Sequence, residues 1–271
     1  MQLLKLLSTA KVYNLEQPRY NGQPSYPSHR PPYNYFITRK HLDSYHPETK
    51  GPRTTAQGMI IMGDHSGTHI DAFCHQALDL IMHGGVQADN TIETPGGYKS
   101  LAAEHLPNFI VRGILLDVAT YKGVSYLPNR YSITSKDLEE TKDYQGTSIR
   151  SGDAILIRTG YDTLWHNTEE YLKYAGVGQT GSQWVREHNP SIFGIDQLSW
   201  DLPEELDSET GSTHWAHINL FVRDGITMIE NMKLDDLARD RQYEFTFLCF
   251  PMKFVGATGS PVSPIALVEE K

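Results

Sequence analysis

Between residues 65 and 75 the chain reads His-Ser-Gly-Thr-His-Ile-Asp-Ala-Phe-Cys-His, three histidines and one aspartate within eleven residues. Imidazole nitrogens and carboxylate oxygens are ordinary donors to a divalent ion, and such an ion is catalytic only if positions stay open for water or substrate. His65, His69 and Asp71 supply two imidazoles and one carboxylate, a set that both Zn2+ and Mn2+ accept. The ion's charge lowers the pKa of a coordinated water and polarises a carbonyl, which is the chemistry of hydrolysis. His75, with an ordinary imidazole pKa of ~6.5, suits the role of general base beside it. Thr68 or nearby backbone N–H groups are candidates to stabilise an oxyanion.

The spacing restricts the backbone. A straight helix places His65 and His69 on one face but carries Asp71 and His75 away from it. A fully extended strand aligns all four yet separates His65 from Asp71 by roughly 20 Å, too far for one ion. A strand over Gly58–Gly63, with Met59, Ile60, Ile61 and Met62, is therefore expected to reach a tight turn at Gly67, where the missing Cβ permits unusual dihedrals, and to continue as a helix.

Far downstream, His217 and Glu230 are candidates for a distant ligand that completes the ion's site or for polar groups that orient its ligands; His214 beside Trp215 also reads as a packed surface pair, and Glu230 as a helix-end residue. Asp196, in GIDQLSWD, stands just after a strand, where site residues of open sheets gather and where a turn or cap is also needed. Arg158-Thr159-Gly160-Tyr161 closes another strand in the same manner.

The elements that must position these groups are apolar, β-branched runs at Phe109–Val118, Ala154–Thr159, Ser191–Ile195 and Glu244–Phe250. Between them helical stretches are expected at Leu138–Lys142, with Ser135 as N-cap, and at Thr168–Ala175, Ser182–Glu187 and Leu234–Arg239. This mixed order implies an α/β fold, a mixed sheet with flanking helices. One domain is expected over residues 1–271, opened by a long arm over 1–57 that is rich in proline and tyrosine from residue 17 onward. Tyr33, Tyr35 and Phe36 of the arm, with Phe73, are candidate stacking surfaces for a planar substrate, or core residues.

A net charge of -9, with basic residues clustered no more densely than pairs such as Arg39-Lys40, argues against nucleic acid as a partner. No apolar stretch approaches the ~20 residues of a membrane span, and the start lacks the order of a secretory signal. Two cysteines, Cys74 and Cys249, are too few for a disulfide framework, so a cytoplasmic setting is expected.

HSGTHIDAFCH resembles the signature His-x-Gly-Thr-His-x-Asp-x-Pro-x-His of the metal-dependent cyclase family, which includes isatin hydrolase and bacterial kynurenine formamidase. YNLEQP, VRGILLDVATYKGV, GDAILIRTGYDTLW, FGIDQLSWD and GITMIENMKLDDL are similar to family segments in the same order. The resemblance implies a swivelling β/β/α fold, a homodimer or homotetramer, and hydrolysis of an amide-type C–N bond in a small aromatic or cyclic substrate. Isatin and N-formylkynurenine are the model substrates, and a lactone would open by the same chemistry. By that resemblance His65, His69 and Asp71 match the metal ligands, His75 the general base, and His217 and Glu230 the pair that binds a second zinc in the formamidase branch. Phe73 replaces the usual proline, and the interval from His217 to Glu230 is one residue longer than that branch implies. Length, arm and the RGILLDVA segment are more similar to the isatin hydrolase branch, where one manganese suffices. Two other functions share the residue set. A non-haem iron oxygenase uses two histidines and a carboxylate and would depend on oxygen, and a structural metal module would unfold on chelation.

Overall fold

Strands form where the β-branched runs predict them. The computed structural model describes residues 9–269; the opening segment, read above as lacking signal features, lies outside the described residues through residue 8. The main sheet is built from Ala10–Asn14 (β1), His69–Asp71 (β2), Phe109–Asp117 (β3), Ala154–Arg158 (β4), Ile192–Ile195 (β5), Met228–Glu230 (β6), Glu244–Cys249 (β7), Gly259–Pro261 (β8) and Ile265–Glu269 (β9). Their spatial order is β1-β9-β7-β3-β4-β5-β6-β2-β8. Strands β3 to β6 are parallel neighbours, and the remaining pairs are antiparallel. The fold is thus α/β, a large mixed sheet flanked by helices.

Alternation along the central strands creates two cores. Ile114, Leu116, Ile155, Ile157 and Phe193 pack with Leu138 of helix Ser135–Gln145 (α1) and Val185 of helix Gln179–Glu187 (α2). Leu115, Leu156 and Ile229 face the other way, toward Phe247, Leu234 and Leu237. Each such side chain, once fully buried, stabilises the fold by about 1.5–3 kcal/mol. Helix α1 is capped by Thr134 rather than Ser135: Asp137 N–H donates to Thr134 Oγ1 (3.2 Å) and Thr134 N–H donates back to Asp137 Oδ2 (2.9 Å). The expected helix at Thr168–Ala175 is shorter, Thr168–Tyr171. Among the described residues no helix is long and apolar enough to cross a membrane.

Two local expectations need correction. The strand before the histidine motif is Gln57–Ile61, and it pairs with Asn34–Arg39 in a hairpin apart from the main sheet. After the turn at Gly67 the chain continues as strand β2, not as a helix, because neighbours on both sides claim its backbone.

Candidate metal centre and its cavity

Strand β2 sits between β6 and β8, with Ile70 opposite Ile229 on one side and Ser260 on the other, and Ile70 is fully buried. Alternation sends His69 and Asp71 to the face opposite Ile70, and the register sets Glu230 directly across from His69. Gly67, at φ 71°, turns the chain so that His65 folds back over the strand. His65 Nδ1 comes within 2.9 Å of Asp71 Oδ1, and His69 Nε2 within 3.5 Å of the same oxygen.

The donor atoms of His65, His69 and Asp71 lie within 4.8 Å of one another. All three side chains are buried, yet His65 Nδ1, His69 Nε2 and both Asp71 oxygens have no hydrogen-bond partner among the described residues. Even the 2.9 Å approach of His65 to Asp71 is not aligned as a hydrogen bond. Buried polar atoms left unpaired cost about 1–3 kcal/mol each. Two nitrogens and a carboxylate with converging lone pairs fit a divalent cation. Outer contacts aim them: His69 Nδ1 lies 2.8 Å from Gly67 O, and His65 Nε2 lies 2.9 Å from Thr258 Oγ1, which donates to Asp64 Oδ2 (2.8 Å). Burial, with the neighbouring His65, pushes His69 down to about 3. Burial alone would raise Asp71, but the facing His75, His65 and His69 hold it well below the usual carboxylate range.

His75 follows a turn closed by its N–H to Ala72 O (2.7 Å). Its ring stacks on His65 at 4.1 Å between centroids, and its Nε2 lies 4.0 Å from Asp71 Oδ2. Burial, against the pull of Asp71 and with help from His65 and His217, pushes His75 down to about 3, so the ring is neutral at neutral pH.

The structure also brings His217 and Glu230 to the cluster. His217 opens a π-helical turn, His217–Arg223, and its Nδ1 lies 2.6 Å from Asp201 Oδ2. That contact aims Nε2 inward, 3.8 Å from Asp71 Oδ2 and 3.8 Å from Glu230 Oε1. Burial opposes charge on His217, but Asp201, Glu230 and Asp71 lift it to about 9. Burial and the charge of Asp71 lift Glu230 to about 7, although Trp200 N–H donates to its Oε1 at 3.0 Å. Among the described residues, His217 and Glu230 join no group of three that converges as closely as His65, His69 and Asp71.

A cavity of about 270 Å³ opens beside the cluster, with His75, His217 and Glu230 on its inner side. Its remaining lining is Tyr26, Ser28 and His29 from the arm, with Gln76, Ser199 and His214. The expected stacking residues Tyr33, Tyr35, Phe36 and Phe73 do not line it. Tyr35 and Phe36 lie on the exposed hairpin, and Phe73 turns into the core, 4.9 Å from the His83 ring and 5.1 Å from Phe221. Thr68 is not free to bind an oxyanion: its hydroxyl donates to Asn231 O (2.6 Å) and accepts from Gln17 N–H (2.9 Å). Asp196 clamps a turn, accepting from Thr159 N–H, Thr159 Oγ1 and Gly160 N–H at 2.6–2.8 Å. His29 and Asp201 went unread in the sequence, since neither belongs to a spaced set.

Residues 13–202 match the model of the Cyclase family, described as "Putative cyclase". Kynurenine formamidase of Bacillus cereus (strain ATCC 10987 / NRS 248) is 23% identical over 262 residues, 96% of this chain and 98% of that protein. The crystal structure of a novel cyclase superposes with a TM-score of 0.82 at 27% identity, covering 97% of this chain and 88% of that one. Isatin hydrolase A from Ralstonia solanacearum shares the fold, with a TM-score of 0.72 at 20% identity and coverage of 99% and 96%. The matches to plant cyclase-like proteins span only 61–63% of those proteins' length. Because the family model runs through the histidine motif and across more than half of the sequence, this chain belongs to the Cyclase family.

Proposed function

We propose that the protein is a metal-dependent hydrolase that opens an amide-type C–N bond of a small aromatic or cyclic substrate. The observation that carries this reading is the buried, converging and unpaired set on His65, His69 and Asp71 beside a cavity. Similarity to isatin hydrolase A and to kynurenine formamidase supports the amide-type bond as the target.

His65, His69 and Asp71 would hold one Mn2+ or Zn2+, which supplies Lewis acidity and a water of lowered pKa. His75 accepts a proton from the attacking water at Nε2 as the water oxygen bonds to the amide carbon. The proton then passes to the nitrogen as the C–N bond breaks, so one water is consumed and an acid and an amine group are formed. His217, held by Asp201, presents Nε2 toward the developing oxyanion, the role Thr68 is too engaged to fill. A closed structural site usually takes a fourth protein ligand, often cysteine. The nearby Cys74 thiol is instead directed to Ala257 O (3.6 Å).

The test is to strip the purified protein, restore manganese or zinc, and follow isatin and N-formylkynurenine spectrally, with and without oxygen. Metal-dependent, oxygen-independent opening of isatin is the expected result. Preference for the formamide would move the substrate assignment, and inactivity on both with metal firmly bound would exclude these two substrates and turn the assignment to lactones and other cyclic amides. An oxygen requirement would favour the iron oxygenase.

We also propose that identical subunits assemble through the hairpin of Asn34–Arg39 and Gln57–Ile61. Tyr35, Phe36, Ile37, Met59, Ile60 and Ile61 are 42–59% exposed on it, and an isolated two-stranded ribbon is marginal in water. Light scattering should give two or four times 30.6 kDa; a monomer would sink the idea. The buried free thiols of Cys74 and Cys249 suit a reducing, cytoplasmic setting.

A further inference from the structure

Two histidines that line the cavity, His29 and His214, are given no step in the hydrolytic cycle proposed above, although the donor atoms of His29, His65 and His75 also lie within 4.8 Å of one another. His29 is fixed by its backbone: its N–H donates to Tyr26 O (2.9 Å), and Ser25 Oγ donates to His29 O (3.0 Å). Its ring stands 4.8 Å from the His65 ring and 5.8 Å from the His75 ring, yet neither nitrogen has a hydrogen-bond partner among the described residues. His214 lines the same cavity, 5.5 Å from the His217 ring. Its backbone is left-handed, at φ 63°, a conformation that a non-glycine residue adopts only at an energetic cost. His214 Nδ1 lies 2.8 Å from Thr213 Oγ1, which leaves Nε2 without a partner among the described residues.

Around these rings the lining offers the Ser28 and Ser199 hydroxyls and the Gln76 amide, while its one acidic group, Glu230, stays on the cluster side. Apart from histidine, the lining has a single aromatic ring, Tyr26. Such a wall selects by hydrogen bonding more than by stacking, and its complement is a compact, multiply accepting group. We propose that His29 and His214 are substrate-recognition residues that bind a carboxylate carried by the substrate beside its scissile amide. This rests on the hydrolase reading and narrows it to small acid-bearing amides.

Formanilide and 2-formamidobenzoate differ by one carboxylate and make a matched pair of probes. Each is titrated calorimetrically into the metal-loaded His75→Ala protein, so that binding is read without turnover. The acid is expected to bind at least tenfold tighter. Adding His29→Ala and His214→Ala together should abolish that preference while leaving metal content and formanilide affinity in place. The milder His29→Asn with His214→Gln should keep an intermediate preference, and it serves as the test if the double alanine variant fails to fold. Equal affinity for the two probes, or a preference that survives both variants, would overturn the proposal. Turnover of both probes by the unsubstituted enzyme is measured separately. Tight, histidine-dependent binding of the acid without hydrolysis of either probe would reject the hydrolase reading and leave the recognition pair standing.

Discussion

The molecule buries two charged clusters, and they are finished in opposite ways. Around Arg158 the chain supplies its own cation: Nη1 donates to Asp117 Oδ1 (3.0 Å), and Nε lies 3.6 Å from Asp162 Oδ2. Asp196, close by, takes two backbone N–H groups and a hydroxyl. Around Asp71 the chain supplies only histidines, none aligned to donate to it, and four donor atoms stay unpaired. Burial is comparable in the two places, so exposure does not distinguish them. The distinction is the cation: the Arg158 network carries its own guanidinium, although Arg158 Nε and Asp117 Oδ2 lack a hydrogen-bond partner among the described residues, whereas the Asp71 cluster offers only histidines and would gain its cation from outside.

The largest expected effect separates the clusters outright. His69→Ala should reduce bound metal from one ion per chain to near zero and turnover with it, while the metal-free protein keeps its fold; mass-spectrometric metal analysis beside circular dichroism checks this. Full metal content in the variant would erase the distinction. His75→Ala should retain the metal and lower kcat by about 10²–10⁴-fold, the usual worth of a positioned general base. A variant with undiminished rate would remove His75 from the chemistry. Arg158→Met should act in the reverse sense, destabilising by about 3–5 kcal/mol because it leaves buried carboxylates unpaired, with metal stoichiometry unchanged in the folded fraction. Denaturant titration measures it, and a loss below ~1 kcal/mol would show that the built-in cation matters little.

The smallest effect is in pH. In metal-free protein, His69 and His75 lie near about 3, whereas the unfolded chain titrates near ~6.5. The unfolded state therefore binds more protons across that interval, and stability falls as pH drops below ~6.5. Glu230, raised to about 7, offsets part of this loss. His217, raised to about 9, contributes stability that is present below ~6.5 and lost as pH rises toward 9. Scanning calorimetry should find Tm highest near pH ~6.5, with a shallow decline on each side; a Tm that rises steadily to pH 9 would contradict the charge states assigned to the cluster.

The convergence of His65, His69 and Asp71 was legible because their spacing is local: Gly67 lets three groups within seven residues meet, whatever follows. The conformation that follows was not legible, since the strands that hold β2 begin at Met228 and Gly259, far along the chain. The central strands were legible from apolar runs alone, with Ala154–Arg158 within one residue of expectation. Tyr33, Tyr35 and Phe36 do not line the cavity, because residue type alone does not reveal where in the fold an aromatic side chain comes to lie. His29 reaches the cavity from the proline-rich arm through a tertiary route with no periodic signal. Asp201 is similar, for it becomes meaningful only once His217 is seen at 2.6 Å.

Strand β2 gains its second neighbour only when Gly259–Pro261 has been made. During synthesis the first 250 residues can be present while His69 and Asp71 still lack the edge that holds their register. An ion held by His69 and Asp71 would therefore be held in register only once Gly259–Pro261 has joined them. Were manganese or zinc to bind there, the ion met after that strand has formed would matter to the choice as well as the ligands themselves.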